Sequence, residues 1–412
     1  MSAAPPRRLH LLEVGLHWPP ETYLQWKFAR LAAAGMRVTV ASRVPRRKAG
    51  GRVPGAELQR VPSWSEPSPR AAAGLIVDAL GLLAGSPRKL AALVAAVRRT
   101  RGSAGERLGW RAKLRVLRSF LRLAGLRPDV VHFEWVTAAV DHLPLLEVWK
   151  RPVVISLHGD PAEFMSNPRW RHGIREALRR ADAVHCVSEA VRRQSASYGT
   201  DPAKAWLIRP AIDPEFFTPN GRTTGAGDGP LRVLSVGRLH WIKGYEYALH
   251  AVHLLLDRGV PVHLEIAGEG PDRDRIAATV DDLGLHRHVE LLGALDSSAV
   301  RSRLRGAGAL VNSSVSEGIP TSLLEAMACS VPVVASDCGG VAEAVTDGRE
   351  GLLVAPRDPA AMAAALERLA RDPGLRERMG RAGRARVEAD FAIGGQVARF
   401  VEMYENLRER AA

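Results

Sequence analysis

The sequence predicts an α/β protein built as two doubly wound parallel-sheet halves. Continuous apolar, β-branched runs alternate with segments of helical apolar spacing through most of the chain, the pattern of strands covered on both faces. A run rich in glycine and free of large apolar side chains, "NGRTTGAGDGP" at 220–230, interrupts that alternation, which then begins again. At 412 residues the chain also exceeds what one hydrophobic core accommodates.

The elements follow in order. "LHLLEVG" reads as a strand, "PETYLQWKFARLAAAG" as a helix and "MRVTVAS" as a second strand, a β-α-β unit. Three further strands, "DVVHFEW", "PVVISLHG" and "AVHCVS", are separated by helical stretches such as "WRHGIREALRRA" and "SEAVRRQSASYG". After the linker come strands "LRVLSVG", "VHLEIAG", "VELLG", "ALVNSS", "PVVAS" and "GLLVAP". The helices between them are "YEYALHAVHLLLDRG", "DRDRIAATVDDLG", "SSAVRSRLRGAG" and "SLLEAMAC". "FAIGGQVARFVEMYENLRER" closes the chain as one amphipathic helix. The expected division is a first domain at 1–219, a linker at 220–230, a second domain at 231–389 and a returning helix at 390–412. Open α/β sheets bind ligands at the carboxyl ends of their strands, so a ligand is expected in a cleft between the halves.

Composition excludes several classes. Hydrophobic residues at 46% and charged residues at 25% are globular proportions, and no apolar run is long enough to span a bilayer. The start, "MSAAPPRRLHLLEV", lacks the apolar core and cleavage site of a secretory signal, which predicts a cytoplasmic protein. Cys186, Cys329 and Cys338 show no zinc-site spacing and read as reduced, mostly buried thiols. The net charge of +14 is concentrated: residues 86–127 hold twelve Lys or Arg against one acid, Glu106, an excess of +11.

Candidate chemistry gathers in the second half. "VGRLHWIKG" is a glycine turn at a strand end, where Arg238 and Lys243 are placed to meet one diphosphate; two solvated loop cations are the alternative. Gly268 and Gly270 in "IAGEGP" permit close backbone approach, or simply a turn. In "SEGIPTSLLEAMA", Gly318 and Pro320 separate the loop acid Glu317 from a helix whose first N–H groups belong to Thr321 and Ser322. Glu325 reads either as a ligand contact or as the far end of a capping box begun by Ser322.

These residues carry a resemblance. The run "EGIPTSLLEAMA" with "VGRLHWIKG", "IAGEGP" and "GGVAEAVTDGREGLLV" is similar to the donor half of the retaining glycosyltransferases of family 4, which have the GT-B fold. The first-half runs "PETYLQWKFARLAAAGMRVTV", "DVVHFEW", "VVISLHGD", "ADAVHCVSEAV" and "IRPAIDPEFF" fall in the family's order. The likeness covers nearly everything except about 45–125 and the linker, and "PET" resembles the exopolysaccharide and colanic-acid subgroup. The resemblance implies two Rossmann-like domains facing across a cleft and a nucleoside diphosphate sugar as donor. It implies that Glu317 holds donor-sugar hydroxyls, Glu325 the ribose, and Arg238 and Lys243 the diphosphate, aided by Gly318, Ile319, Pro320, Thr321 and Ser322, with no metal and no other cofactor. His158 in "SLHGD" matches the family histidine beside the reacting sugar, and Gly15 a loop near donor and acceptor. Leu16 and Glu134 depart from the family pattern, both on the acceptor side.

The basic segment predicts an amphipathic helix within 107–124. Trp110, Leu114, Leu117 and Leu121 form an apolar stripe, and Arg111, Arg115, Arg118 and Arg122 its flank. Such a helix suits an anionic membrane surface and a lipid-linked acceptor, or packs its stripe on the sheet with the arginines in water. The expectation is a retaining, metal-independent glycosyltransferase acting on a saccharide or lipid-linked saccharide acceptor of the cell envelope, with the inner face of the plasma membrane open to it. A sugar-nucleotide epimerase or phosphorylase on the same fold is the alternative. A nucleic-acid binder ranks well below both, because no zinc-finger, RNP-like or basic-zipper pattern accompanies the charge.

Overall fold

The structure is a computed structural model, and it describes residues 8–18, 20–42, 52–61, 69–99, 109–165, 167–220 and 229–411. The chain divides into two compact units. The first comprises Met1–Cys186, Arg192–Ile208 and Val397–Ala412; the second comprises Val187–Val191 and Arg209–Gln396. Most of the linker expected at 220–230 lies outside the described residues.

In chain order the first elements are β1 (His10–Val14), α1 (Thr22–Ala33), β2 (Arg37–Ser42), β3 (Ala56–Arg60), α2 (Pro69–Gly85), α3 (Pro87–Arg99) and α4 (Trp110–Ala124). They continue with β4 (Val130–Phe133), α5 (Val136–Asp141), α6 (Leu143–Trp149), β5 (Val153–Leu157), α7 (Pro168–Arg180), β6 (Ala183–Cys186), α8 (Glu189–Ser197) and β7 (Ala205–Leu207). The seven strands form one sheet in the order β3-β2-β1-β4-β5-β6-β7, and every adjacent pair is parallel. Val130–Phe133 and Val153–Leu157 are buried at each position, as expected for strands covered on both faces.

The remaining elements are β8 (Leu231–Val236), α9 (Tyr245–Asp257), β9 (Val262–Ala267), α10 (Arg273–Asp282), β10 (Val289–Gly293), α11 (Ser297–Gly306) and β11 (Ala309–Asn312). After them come α12 (Thr321–Ala328), β12 (Val333–Ser336), α13 (Val341–Ala344), β13 (Gly351–Val354), α14 (Pro359–Arg371), α15 (Pro373–Asp390) and α16 (Ile393–Arg410). Six parallel strands run β10-β9-β8-β11-β12-β13. On one face of this sheet Leu249, Val252 and Leu255 of α9 pack with Leu264, Ile266, Met362, Leu366 and Leu369 in a continuous core. Truncating any one of these to alanine would cost about 2–5 kcal/mol. Strand order reverses direction between β1 and β4 in one sheet and between β8 and β11 in the other. The crevice outside such a reversal is where open α/β sheets bind ligands.

Two boundaries differ from those expected. Residues 209–219 cluster with the second unit because they are tied to it by hydrogen bonds. Ile212 bridges Ala392, Arg384 donates to the carbonyls of Pro214 and Phe217, and Arg305 donates to that of Thr218. Helix α16 divides at Val397, its later residues belonging to the first unit, where Phe400 and Tyr404 are buried.

The basic helix forms as α4, with a correction to its buried face. Trp110 is 67% and Leu114 43% exposed, while Val116, Phe120, Leu121, Leu123 and Ala124 are buried. At about 100° per residue the buried face lies roughly a quarter turn from the predicted stripe, which shares only Leu121 with it. The stripe is thus largely an outer surface between core and arginines.

Candidate active site

In the second unit, four loops meet at the carboxyl ends of β8, β9, β11 and β12, and backbone contacts lock them together. The turn after β8 is braced by Tyr245, whose hydroxyl donates to the Gly237 carbonyl at 2.9 Å, and by the Leu239 N–H, which donates to the Glu269 carbonyl at 2.9 Å. A Cβ on Gly268 would stand 1.8 Å from the Gly237 oxygen, and one on Gly270 2.1 Å from the Leu239 oxygen. These two glycines are therefore required by close approach of the loop after β9 to the loop that carries Arg238. Arg238 itself is exposed.

Lys243 ends a single 3-10 turn, and Gly244 beyond it has φ +57 and lies against the Ser313 carbonyl. Ser313 Oγ donates to the Lys243 carbonyl at 2.9 Å, joining the β8 and β11 loops. Across that junction Lys243 Nζ donates to Glu317 Oε1 at 2.5 Å, and Ser314 Oγ donates to the same oxygen at 2.6 Å. Both side chains are largely but not wholly covered, so the pair stays reachable from solvent. Gly339 and Gly340, after β12, support the Glu317 loop from behind: the Gly340 N–H donates to the Gly318 carbonyl at 2.8 Å. The Cys338 thiol, pushed up to about 12 by burial and then by the Glu317 charge, donates to the Ser314 carbonyl.

Pro320 is the N-cap of α12, Thr321 its first residue, and Ile319 is buried beneath the turn. Ser322 already lies inside the helix and no side chain caps it, so the capping-box reading of Glu325 fails. Glu325 sits partly buried one turn in, its carboxylate without a hydrogen-bond or ion-pair partner among the described residues, and burial pushes it up to about 7. The second unit thus carries Arg238, Lys243, Gly268, Gly270, Glu317, Gly318, Ile319, Pro320, Thr321, Ser322 and Glu325 on these interlocked loops and the start of α12. The arrangement offers two cations and a helix N-terminus for an anion, and two acids for hydroxyl groups.

The first unit holds the other two predicted residues. Gly15 follows β1 with φ +85, and a Cβ there would stand 2.5 Å from the Ala138 methyl. His158 follows β5, 20% exposed, with the Trp135 ring 4.8 Å away and Tyr23 edge-on at 6.0 Å. Beneath it lies a buried polar cluster that sequence reasoning missed. Lys27 donates to Glu134 Oε1 and, at 3.3 Å, to Glu13 Oε1, and all three side chains are at most 4% exposed. Burial alone would push Glu134 up, but Lys27, His132 and the His158 bond outweigh it and hold the carboxyl well below its ordinary range. Lys27 is raised in turn, the two carboxylates outweighing its burial. His132 and His185 share Ser156 Oγ, each at 2.7 Å; burial pushes His185 down to about 3. His132, Glu134 and His185 stand close enough to hold an ion, yet each already has hydrogen-bond partners in this network. The only sequence signal was the pair of glutamates within apolar strand runs, an unusual placement for a charge.

Comparison with known proteins agrees with this construction. The family description "Glycosyl transferases group 1" matches residues 220–386, and "Glycosyltransferase Family 4" matches residues 82–216. A glycogen synthase of Mycobacterium tuberculosis is 33% identical over 301 residues, 67% of this chain and 70% of the relative. A putative colanic acid biosynthesis glycosyltransferase of Salmonella typhimurium is 32% identical over 286 residues, 66% of this chain and 70% of the relative. Among solved structures, sucrose-phosphate synthase from Thermosynechococcus elongatus aligns with a TM-score of 0.76 at 21% identity, covering 97% of this chain and 99% of that one. HepE of Anabaena, solved with UDP-glucose, aligns at 0.71 and 17% identity over 97% and 100% of the two chains. The protein is a glycosyltransferase with the GT-B fold. It belongs to glycosyltransferase family 4.

Proposed function

We propose that the protein is a retaining, metal-independent transferase that moves a sugar from a nucleoside diphosphate donor to a saccharide or lipid-linked saccharide acceptor of the cell envelope or an exopolysaccharide. The observation that carries this reading is the Lys243–Glu317 pair, set by four interlocked loops at the strand reversal of the second unit. As the bond between the anomeric carbon and the diphosphate oxygen breaks, the electron pair leaves with the phosphate, while the acceptor hydroxyl oxygen bonds that carbon and gives up its proton to the departing phosphate oxygen. Arg238, Lys243 and the N-terminus of α12 are the groups that stabilise the departing charge, leaving no task for a metal. Glu317 accepts from sugar hydroxyls and Glu325 from the ribose. A relative, the GDP-mannose-dependent alpha-(1-6)-phosphatidylinositol monomannoside mannosyltransferase of Mycolicibacterium smegmatis, 31% identical over 278 residues, supports a nucleotide-sugar donor and a lipid-linked acceptor.

An apolar and basic face in the first unit supports contact with an anionic membrane. Ile76, Val77, Leu80 and Leu83 of α2 are 48–66% exposed, and Trp110 and Leu114 of α4, which packs on α2, are exposed as well. Arg111 and Arg122 are exposed beside them, and Arg118 half-buried. No helix among the described residues is long and apolar enough to cross a membrane.

The test is a donor screen with the purified protein, reading nucleoside diphosphate release with and without a polyprenyl-linked acceptor and with EDTA. Acceptor-dependent release that survives the chelator is expected. Turnover of the donor without any acceptor, or activity restored only by magnesium, would overturn the reading.

A further inference from the structure

His158 has one ring nitrogen engaged and one open. Nε2 lies 3.0 Å from Glu134 Oε2, whereas Nδ1 has no hydrogen-bond partner among the described residues. Glu134 gives its other oxygen to Lys27, which ties the carboxylate to Glu13 as well. An ionised carboxylate can only accept, so Nε2 carries a proton, and in the neutral tautomer that this leaves, the lone pair is at Nδ1.

The rest of the buried network has fixed roles that leave Nδ1 alone. His185 Nε2–H donates to the Ile208 carbonyl at 2.8 Å, so its Nδ1 accepts from the Ser156 hydroxyl at 2.7 Å. Ser156 in turn accepts from His132 Nε2–H, and His132 Nδ1 lies 2.7 Å from the Tyr404 hydroxyl and 3.4 Å from Glu13 Oε1. The Ile208 carbonyl thus dictates the tautomer of His185, and every nitrogen of these two rings is engaged within the network. Trp135 and Tyr23 flank the His158 ring, limiting its rotation.

We propose that Glu134, locked by Lys27, is a positioning residue that fixes the tautomer of His158, so that Nδ1 accepts a hydrogen bond from a substrate hydroxyl during transfer. The inference rests on the transferase reading above. Sugars present hydroxyl donors in every orientation, and a nitrogen lone pair accepts from one without adding negative charge. The inverted tautomer would point an N–H at the same hydroxyl and force it to turn its proton elsewhere.

Glu134→Gln tests this with almost no change of volume. The Lys27 ammonium can only donate and takes the amide oxygen, so the amide NH₂ faces Nε2 and drives the proton to Nδ1. In the full chain, ¹⁵N-histidine NMR should show the Nε2–H form of His158 in the native protein and the Nδ1–H form in E134Q, with the signal assigned by its loss in His158→Asn. The kcat of E134Q should fall on the order of 100-fold, with the donor KM changed less than threefold. Glu134→Asp, which keeps the charge, should retain the Nε2–H form and recover most of kcat; it also serves should E134Q not fold. An unchanged tautomer in E134Q, or an inverted one with native kcat, would overturn the proposal. If the native chain transfers no sugar at all, the transferase reading fails, while the NMR comparison still decides whether Glu134 sets the tautomer.

Discussion

Glu325 converts burial into a pH response. Its carboxyl, pushed from 4.5 to about 7 by burial alone, is half protonated at neutral pH in the free protein. If ribose hydroxyls require the ionised form, nucleoside diphosphate affinity should weaken about tenfold for each pH unit below 7. Calorimetric titration with UDP and GDP between pH 5.5 and 8 checks this; Glu325→Gln should bind more weakly at pH 8 and show a flat profile. Stability responds in the opposite sense. A carboxyl raised on folding contributes its full stabilisation below pH 4.5 and loses it as pH rises through 7. The Gln variant should therefore be more stable than native at pH 8, by up to about 3 kcal/mol, with the gain gone near pH 4.5. Urea unfolding at the two pH values decides it. Lys243→Ala removes both a phosphate cation and the Glu317 partner, leaving Ser314 as the acid's remaining hydrogen bond. Transfer should fall on the order of 100-fold or more with a native circular dichroism spectrum. Retention of most activity would remove Lys243 from the site.

The glycine-bearing turns matter because they are where loops touch backbone to backbone. Gly339 has φ +58, and a Cβ on it would stand 1.8 Å from the Glu317 carbonyl oxygen. Gly339→Ala should consequently cost stability and displace Glu317, cutting turnover far more than Gly306→Ala at a helix end with open space and no left-handed backbone. Paired melting and activity measurements check the contrast. The glycines and acids of the second unit were legible in the sequence because a strand end, a φ-demanding residue and a helix start announce such turns. The roles of Gly339, Gly340 and Tyr245 were not, since each acts only through a neighbour brought close by the sheet. Strands β3 and β7 went unread for a related reason: both are edge strands, half-exposed, without the apolar run that marks central ones. For α4 the heptad-like spacing was real but named the wrong buried face: 86–127 reads as a basic helical segment, but α2 and the packing of α2 and α3 against α4 were not foreseen. The exposed stripe leads to a prediction of its own. Replacing Arg111, Arg118 and Arg122 with Gln, or Ile76 and Leu80 with Ser, should each reduce sedimentation with vesicles rich in phosphatidylglycerol. The native interaction should weaken as salt rises past about 0.15 M. Equal sedimentation of all forms would leave α2 and α4 with packing roles alone.

Across the molecule, the chemistry is partitioned between the two units, and the partition follows from topology. Each sheet reverses its strand order once, and each unit sets its candidate residues at the carboxyl ends beside that reversal: Lys243 and Glu317 after β8 and β11, Gly15 and Glu134 after β1 and β4. The second unit holds every group assigned to the nucleotide and its phosphates, whereas the first contributes His158 with a hydrogen-bonded network that runs from Tyr404 to Ile208. Since that network is closed by its own partners, its strands need nothing from a nucleotide to stay ordered. A nucleoside diphosphate without sugar should accordingly stabilise the second unit selectively. At one hundred times its dissociation constant it should add about 2.7 kcal/mol to openings that release it. Hydrogen exchange should therefore slow by about 100-fold for amides at 237–244, 268–270, 313–322 and 337–340 that exchange through such openings. Rates for β4, β5 and β6 should stay as they are. Mass-resolved exchange with UDP and GDP, compared with the matching mononucleosides, measures both halves at once. Protection confined to the first unit would place the nucleotide there and overturn the assignment of Arg238, Lys243, Glu317 and Glu325.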